Sequence, residues 1–272
     1  MNETINLEWY NDFANNIGRI IMNKLIINSD DFGYSRAINH AIIDTHQEGI
    51  LTSTTLMTNT PGFEHAIKLA KENPKLGVGV HLVLTFLKPL SQDVPSLMDE
   101  KGDFYRPDAY RSGLAIVDEE ELYKEWDAQI QKVLAAGIQP THLDSHHHAH
   151  TFNERHFEVF IKLSEKYDLP IRGNFDKEHA RPTTTYFEPA FDGVSMLEEK
   201  EQDEYLDLLV DKIEKNESTE VMCHTGYIDE FLSKTSSLLE PRMHEVSILT
   251  ASKFVDKIRK SKEIKLATFS DL

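Results

Sequence analysis

Short apolar runs and amphipathic stretches alternate along most of the chain. The run KLIINSDD (24–31) is rich in branched apolar residues and ends in polar ones, so it predicts a buried strand followed by a turn. Residues 35–48 then place apolar residues at helical spacing between Ser35, a suitable N-cap, and Gly49, a suitable stop. A strand followed directly by a helix forms one βα unit.

The same alternation repeats to the end of the chain. Further strands are predicted at 50–57, 75–85, 141–145, 169–173, 219–224 and 264–269, and further helices at about 62–72, 117–136, 153–167, 202–216 and 247–260. Two polar stretches interrupt the pattern, at 86–113 and 174–200, and irregular segments of this length are commonly lids or binding loops. The pattern favours an α/β fold, a single (β/α)-barrel-like domain with seven or eight mostly parallel strands.

Residues 1–22 precede the first predicted strand and fall outside the βα pattern. We predict that they form an N-terminal extension and that residues 23–272 form the barrel domain. Because Met22 stands directly before that domain, translation starting at Met22 is an alternative. The first 22 residues carry acids and lack the long apolar region of a secretory signal.

The composition narrows the choice of partners and location. The chain carries a net charge of −17, which argues against nucleic acid or an anionic membrane as the main partner, since both require clustered Lys and Arg. Cys223 is the only cysteine, so an intramolecular disulfide is impossible, and no apolar stretch is long enough to span a membrane. We therefore expect a cytoplasmic protein.

Polar residues with metal-binding side chains follow several of the predicted strands. Because the carboxyl ends of parallel strands share one face of a barrel, these residues are expected to converge there: Asp30, Asp31, His81, Asp144, His146, Arg172 and His224. Each alone is more commonly a hydrogen-bonded structural residue, but together the carboxylates and imidazoles predict a site for one divalent ion. The donor set admits Zn, Mn, Co, Fe or Mg.

The stretch THLDSHHHAH (141–150) holds five of the thirteen histidines of the chain. An extended backbone would place Asp144 and the histidines at 142, 146, 148 and 150 on one face. A catalytic ion takes about three protein ligands and keeps a position open, so most of these imidazoles must have other roles.

A metal ion of this kind, with a nearby carboxylate to accept a proton and a histidine to protonate the leaving group, predicts hydrolysis of an amide or ester. A metal-dependent sugar phosphoesterase is an alternative, although few cations and no phosphate-binding glycine loop accompany the motifs. A sugar-binding or metal-binding regulatory protein without catalysis is the alternative of another class.

Five segments together resemble the YdjC family of carbohydrate deacetylases: NSDDFGYS (28–35), GVGVHLVLT (77–85), THLDSHHHAH (141–150), VMCHTGYID (221–229) and PRMHEVSILTA (241–251). The resemblance implies a (β/α)-barrel-like fold, a divalent metal, with Mg the first choice, and a homodimer. It also implies removal of acetyl groups from N-acetylglucosamine units of small chitooligosaccharides such as chitobiose and chitotriose.

The resemblance also implies roles for individual residues. Asp31, His81 and His146 would be metal ligands, Asp30 the catalytic base, and His224 a candidate acid. The two adjacent aspartates could exchange roles without changing the motif. A further set is expected to orient ligands or contact substrate: Asp144, His148 and Arg172.

Overall fold

The computed structural model describes residues 22–272. The predicted N-terminal extension, except for Met22, lies outside the described residues, so its boundary stays a prediction. Within the described range, no helix is long and apolar enough to cross a membrane.

The described chain forms seven strands and nine α-helices. The strands are β1 (Asn23–Phe32), β2 (Ser53–Leu56), β3 (Gly77–Leu82), β4 (Leu143–Ser145), β5 (Tyr186–Glu188), β6 (Ser218–Cys223) and β7 (Ile264–Leu266). The helices are α1 (Arg36–Glu48), α2 (Phe63–Glu72), α3 (Pro107–Arg111), α4 (Glu119–Ala135), α5 (Glu154–Tyr167), α6 (Glu199–Lys215), α7 (Glu230–Thr235), α8 (Glu240–Ala251) and α9 (Lys253–Lys260).

The strands form one curled sheet in the order β4-β3-β2-β1-β6-β5, with β7 beside the first residues of β1. Every pairing between these strands is parallel. A single parallel bridge between Leu143 and Ile171 continues the curl beyond β4. The prediction of a single (β/α)-barrel-like domain is confirmed.

Local sequence signals explain the main elements. The last eight residues of β1 are all buried, as expected for a central parallel strand covered on both faces. Helix α1 begins where the Ser35 hydroxyl accepts the N–H of Ile38, and α5 begins with the same type of cap at Asn153. Outside the sheet, α4 and α5 pack against each other through Trp126 and Phe160.

Three predicted segments differ in detail. The strand predicted at 169–173 is reduced to the bridge at Ile171, since the preceding Pro170 has no N–H to donate to a ladder. The stretch 174–200 is more ordered than predicted, because it contains β5 and a 3₁₀ helix at Ala190–Met196. The helix predicted at 247–260 is two helices, α8 and α9, with Ser252 capping the second.

Candidate active site

A cleft of about 430 Å³ opens at the carboxyl ends of the strands. This is the face where active sites of parallel barrels lie. Side chains from the ends of β1 and β6, from the segment after β4 and from α8 line it, among them Asp30, Asp31, His146, His224 and Arg242.

Three predicted metal ligands meet at the floor of this cleft. Asp31 Oδ1 lies 3.1 Å from His146 Nδ1 and 3.5 Å from His81 Nε2. Neither Asp31 Oδ1 nor His81 Nε2 forms a hydrogen bond within the described residues, although both are buried. Ligand atoms bound about 2.1 Å from one ion are separated by roughly 3.0–3.5 Å, so the three side chains could hold a divalent metal.

Hydrogen bonds on the far side of the His81 ring determine which of its two nitrogens carries the proton. Its Nδ1 lies 2.7 Å from Asp144 Oδ1 and 3.2 Å from the Thr55 hydroxyl. Because Nδ1–H donates a hydrogen bond to the Asp144 carboxylate, the neutral tautomer of the ring presents an unprotonated Nε2 to the cleft, which is the form that binds a metal. The structure therefore places Asp144 behind His81, as a partner of the ring.

Arg172 is fully buried beneath the cleft and contacts three carboxylates. Its Nη1 and Nη2 donate to the two oxygens of Asp30 at 2.9 and 2.7 Å, and Nη2 also lies 3.0 Å from Asp144 Oδ2. Its Nε donates to Glu220 at 2.8 Å. Burial alone would raise the pKa of Asp30, but the Arg172 guanidinium holds that pKa well below its usual range.

Glu220 is the third carboxylate partner of Arg172 and one that sequence reasoning missed. Its second oxygen, Oε2, has no hydrogen-bond partner among the described residues. Burial raises the pKa of Glu220 to about 7, even though Arg172 opposes the shift. Residues 220 and 222 of β6 lie on the same face of the strand, and residue 224 follows in the same alternation. A glutamate two positions before Met222 and four before His224 is therefore the signal that could have indicated an inward carboxylate.

His224 lies across the cleft from the three predicted ligands. Its Nε2 is 3.8 Å from Asp30 Oδ2, and its Nδ1 is 2.8 Å from Asp192 Oδ1. Burial would lower the pKa of His224, but the Asp192 carboxylate outweighs it and raises the pKa to about 9. At neutral pH, His224 is therefore a cation that can donate a proton from Nε2.

The structure adds Asp192, Arg242 and Glu245 to the predicted residues. Arg242 Nη2 donates to Asp31 Oδ2 at 2.7 Å, and Glu245 accepts the backbone N–H of His224 at 2.5 Å. Arg242 and Glu245 belong to the segment PRMHEVSILTA, whose charged residues could have suggested them. Asp192 lies in the polar stretch 174–200, where no spacing distinguishes it from its neighbours.

The histidine run does not keep the predicted alternation. The extended backbone ends at Ser145, and a 3₁₀ helix at His146–Thr151 follows, in which His147 and His148 have left-handed φ angles of 55° and 53°. The prediction that alternate histidines share one face is therefore wrong beyond Ser145. Only His146 contacts the predicted ligands Asp31 and His81.

The other histidines of the run have separate neighbours. His142 stacks on Phe269, with 3.7 Å between ring centroids, at the opposite end of the sheet. His150 is buried between Ser145 and Asn174 and stacks on Phe160. His148, which was expected near substrate or ligands, lines the cleft and accepts a hydrogen bond from Asn174 at 3.0 Å. Burial lowers the pKa of His148 to about 4, so the ring is neutral at pH 7.

A profile of the family described as YdjC-like protein matches residues 24–260. The chain belongs to the YdjC family. A YdjC relative named carbohydrate deacetylase from Clostridium beijerinckii is 41% identical over 92% of this chain and 100% of its own length. A second, also named carbohydrate deacetylase, from Halalkalibacterium halodurans, is 41% identical over 86% of this chain and 98% of its own.

A crystal structure from Enterococcus faecalis V583, described as a "putative cellobiose-phosphate cleavage protein", matches the fold of this YdjC chain with a TM-score of 0.83. The two are 34% identical, and the match covers 92% of this chain and 98% of the other. The predicted membership of the YdjC family is confirmed, and with it the prediction of an enzyme.

Proposed function

We propose that this YdjC enzyme hydrolyses the acetamide of N-acetylglucosamine units in small chitooligosaccharides and releases acetate, with one divalent metal bound by Asp31, His81 and His146. The general activity, carbohydrate deacetylation, appears in the names of two relatives that are 41% identical to this chain. The metal-dependent form of the proposal rests on Asp31 Oδ1 and His81 Nε2, which lie beside His146 and form no hydrogen bond with any described residue.

The donor set fits a hard or borderline divalent ion, since it consists of one carboxylate oxygen and two imidazoles with no thiolate. The resemblance to the family favours Mg, while Zn, Mn and Co remain the other candidates. When bound, the ion would polarise the acetyl carbonyl and make water more acidic.

Asp30 serves as the base in this proposal. Arg172 holds the Asp30 carboxylate in one orientation through both oxygens, which directs it toward the cleft. Asp30 Oδ2 faces the space between His81 Nε2 at 4.0 Å and His224 Nε2 at 3.8 Å. A water in that space would lie within reach of Asp30 and of the predicted metal ligands.

His224 protonates the departing amine. The raised pKa, about 9, keeps its ring charged at neutral pH, and the contact from Nδ1 to Asp192 directs Nε2 into the cleft. An amine leaves far more readily when it is protonated, so a positioned imidazolium lowers the barrier of the step that breaks the C–N bond.

The test is acetate release from chitobiose, chitotriose and monomeric N-acetylglucosamine by protein loaded with Mg²⁺, Zn²⁺, Mn²⁺ or Co²⁺ in turn. We expect turnover of the oligosaccharides, loss of turnover on chelation, and loss in His81→Ala and His146→Ala. His244→Ala, which changes an exposed histidine of α8, is the matched control and should retain activity. A folded, metal-loaded protein without turnover on any N-acetylated sugar contradicts the proposal.

The two alternatives predict different products in the same assay. A phosphoesterase would release phosphate from sugar phosphates and no acetate from chitobiose. A regulatory protein would bind sugar or metal with equal affinity in wild type and Asp30→Asn, and neither protein would turn over substrate.

We also propose a homodimer, which the family resemblance implies, and a cytoplasmic location, which the composition of the chain led us to expect. Sedimentation velocity of the full chain distinguishes a dimer from a monomer of 31.2 kDa. Fractionation of cells that express the chain tests the location.

A further inference from the structure

Helix α8 carries two ionisable side chains that are buried one helical turn apart. Arg242 is 3% exposed and Glu245 is completely buried. Charged residues are almost never buried without a partner, because the loss of hydration costs several kcal/mol in free energy. Both residues must therefore be held in place by specific contacts, and those contacts lead to the two sides of the cleft.

Arg242 reaches the side of the predicted metal ligands. Its Nε donates to the carbonyl of Leu238 at 3.0 Å, which anchors the guanidinium, and its Nη2 donates to Asp31 Oδ2 at 2.7 Å. The second oxygen of Asp31, Oδ1, is left facing His81 and His146. Asp31 can consequently present only one oxygen to an ion.

Glu245 reaches the side of the candidate acid. One of its oxygens accepts the backbone N–H of His224 at 2.5 Å. His224 follows directly after β6, where the parallel ladder no longer supplies an acceptor for that N–H. The contact fixes the backbone from which the imidazole projects toward Asp30 Oδ2.

We propose that α8 carries two positioning residues for the deacetylase reaction: Arg242 restricts Asp31 to ligation through one oxygen, and Glu245 fixes the backbone of the acid His224. The inference rests on the proposed function, since it assigns both residues to the same site. One rigid helix then sets the distance between the metal ligands and the acid.

The first arm of the test measures metal binding alone, by calorimetric titration of the full chain with Mn²⁺. A residue that orients a ligand through a hydrogen bond contributes roughly 10- to 100-fold to metal affinity. We expect Arg242→Gln to weaken Mn²⁺ binding by that factor. Arg242→Lys should give a smaller loss, because lysine keeps the charge but cannot contact Leu238 and Asp31 together.

Arg259→Lys is the matched control for the first arm. Arg259 donates to the carbonyls of Glu48 and Gly49, away from the cleft, so this change should leave Mn²⁺ affinity within about twofold of wild type. If Arg242→Gln does not fold by circular dichroism, Arg242→Lys carries the test.

The second arm measures kcat at saturating metal. Glu245→Leu removes the acceptor for His224 and should lower kcat at least 10-fold while Mn²⁺ affinity stays within about threefold of wild type. Glu245→Gln keeps an acceptor oxygen in the same place and should recover most of the lost turnover.

Two results would overturn the inference. Unchanged Mn²⁺ affinity in both Arg242 variants, with only KM raised, would mean that Arg242 contacts substrate instead of positioning Asp31. Equal loss of Mn²⁺ affinity in Glu245→Leu and Arg242→Gln would mean that α8 only supports the fold. Absence of acetate release by wild type that binds Mn²⁺ would instead overturn the proposed function, and the binding results would still decide the role of Arg242.

Discussion

Two buried arginines hold the adjacent aspartates Asp30 and Asp31, and they do so in different ways. Arg172 donates to both oxygens of Asp30, at 2.9 and 2.7 Å, whereas Arg242 donates to a single oxygen of Asp31, at 2.7 Å. Burial would raise the pKa of each carboxyl, yet its arginine holds each pKa below the usual range. Neighbours with the same side chain and burial are thus held in different geometries by their partners.

The surroundings of the two arginines also differ. Arg172 lies inside the barrel and is shared by Asp30, Asp144 and Glu220. Arg242 lies in the wall of the cleft and has one carboxylate partner among the described residues. The interior cluster balances charge that has no access to water, and the cluster at the wall leaves one carboxylate oxygen free for a ligand.

The largest effect, a loss of stability, is expected from Arg172→Met. The variant would leave three buried carboxylates without their shared cation, and breaking a buried ion pair by removing one partner costs about 3–5 kcal/mol in free energy of unfolding. Urea denaturation measures the loss. Arg155→Met, which breaks only a surface pair with Glu119, should change stability by less than about 1 kcal/mol. Equal losses in the two variants would refute the distinction between an interior cluster and the surface.

The second effect separates the two aspartates directly. Asp31→Asn should abolish most metal affinity, since it replaces a charged ligand with a weaker neutral one. Asp30→Asn should leave metal affinity within about threefold but lower kcat by roughly 10²- to 10⁴-fold, the range for loss of a general base. Calorimetry with Mn²⁺ and acetate release measure the two quantities. The opposite pattern would exchange the roles of the two residues.

The third effect concerns how stability and turnover depend on pH through His224, the proposed acid. The pKa of His224 is raised from 6.5 to about 9, so the charged ring stabilises the fold fully below pH 6.5, and that contribution is lost as the pH rises through about 9. Turnover should fall over the same upper range, because the acid loses its proton. Asp192→Asn should move this alkaline limb to lower pH by about 1–2 units. A pH–rate profile unchanged in Asp192→Asn would exclude the pairing as the cause.

The smallest effect, a change in metal affinity of less than about twofold, is expected from a substitution at His147. This side chain is exposed, and its Nδ1 contacts only the Thr85 hydroxyl among the described hydrogen-bonding groups, at 2.8 Å. His147→Asn should therefore change metal affinity by less than about twofold, whereas His146→Asn should lose most of it. Titration with Mn²⁺ compares the two neighbours, and a large loss at His147 would mean that the run supplies more than one ligand.

The sequence predicted the fold well where periodicity was strong. The buried run at β1 and the spacing of apolar residues in α1 gave nearly the observed bounds, because both depend on local pattern. The strand predicted at 169–173 was reduced to one bridge, since pairing there depends on Pro170 and on distant neighbours that no local pattern records.

The candidate site was predictable to the extent that it follows strand ends. Asp30, Asp31, His81 and His224 come directly from strand ends that a parallel barrel brings together. Asp192 was not predictable, because it reaches His224 across 32 residues from a polar segment with no periodicity. The direction of His147 and His148 was also missed, since an alternating pattern assumes that the strand continues.

The left-handed backbone at Asp31, His147 and His148 has a consequence for engineering. Glycine is the residue that adopts such φ angles freely, and each side chain there opposes the backbone by roughly 1–2 kcal/mol. Glycine at His147 would therefore raise the melting temperature while removing an imidazole from the rim. The turn is a place where this enzyme can be made more heat-resistant, whereas the same change at Asp31 would remove a proposed metal ligand.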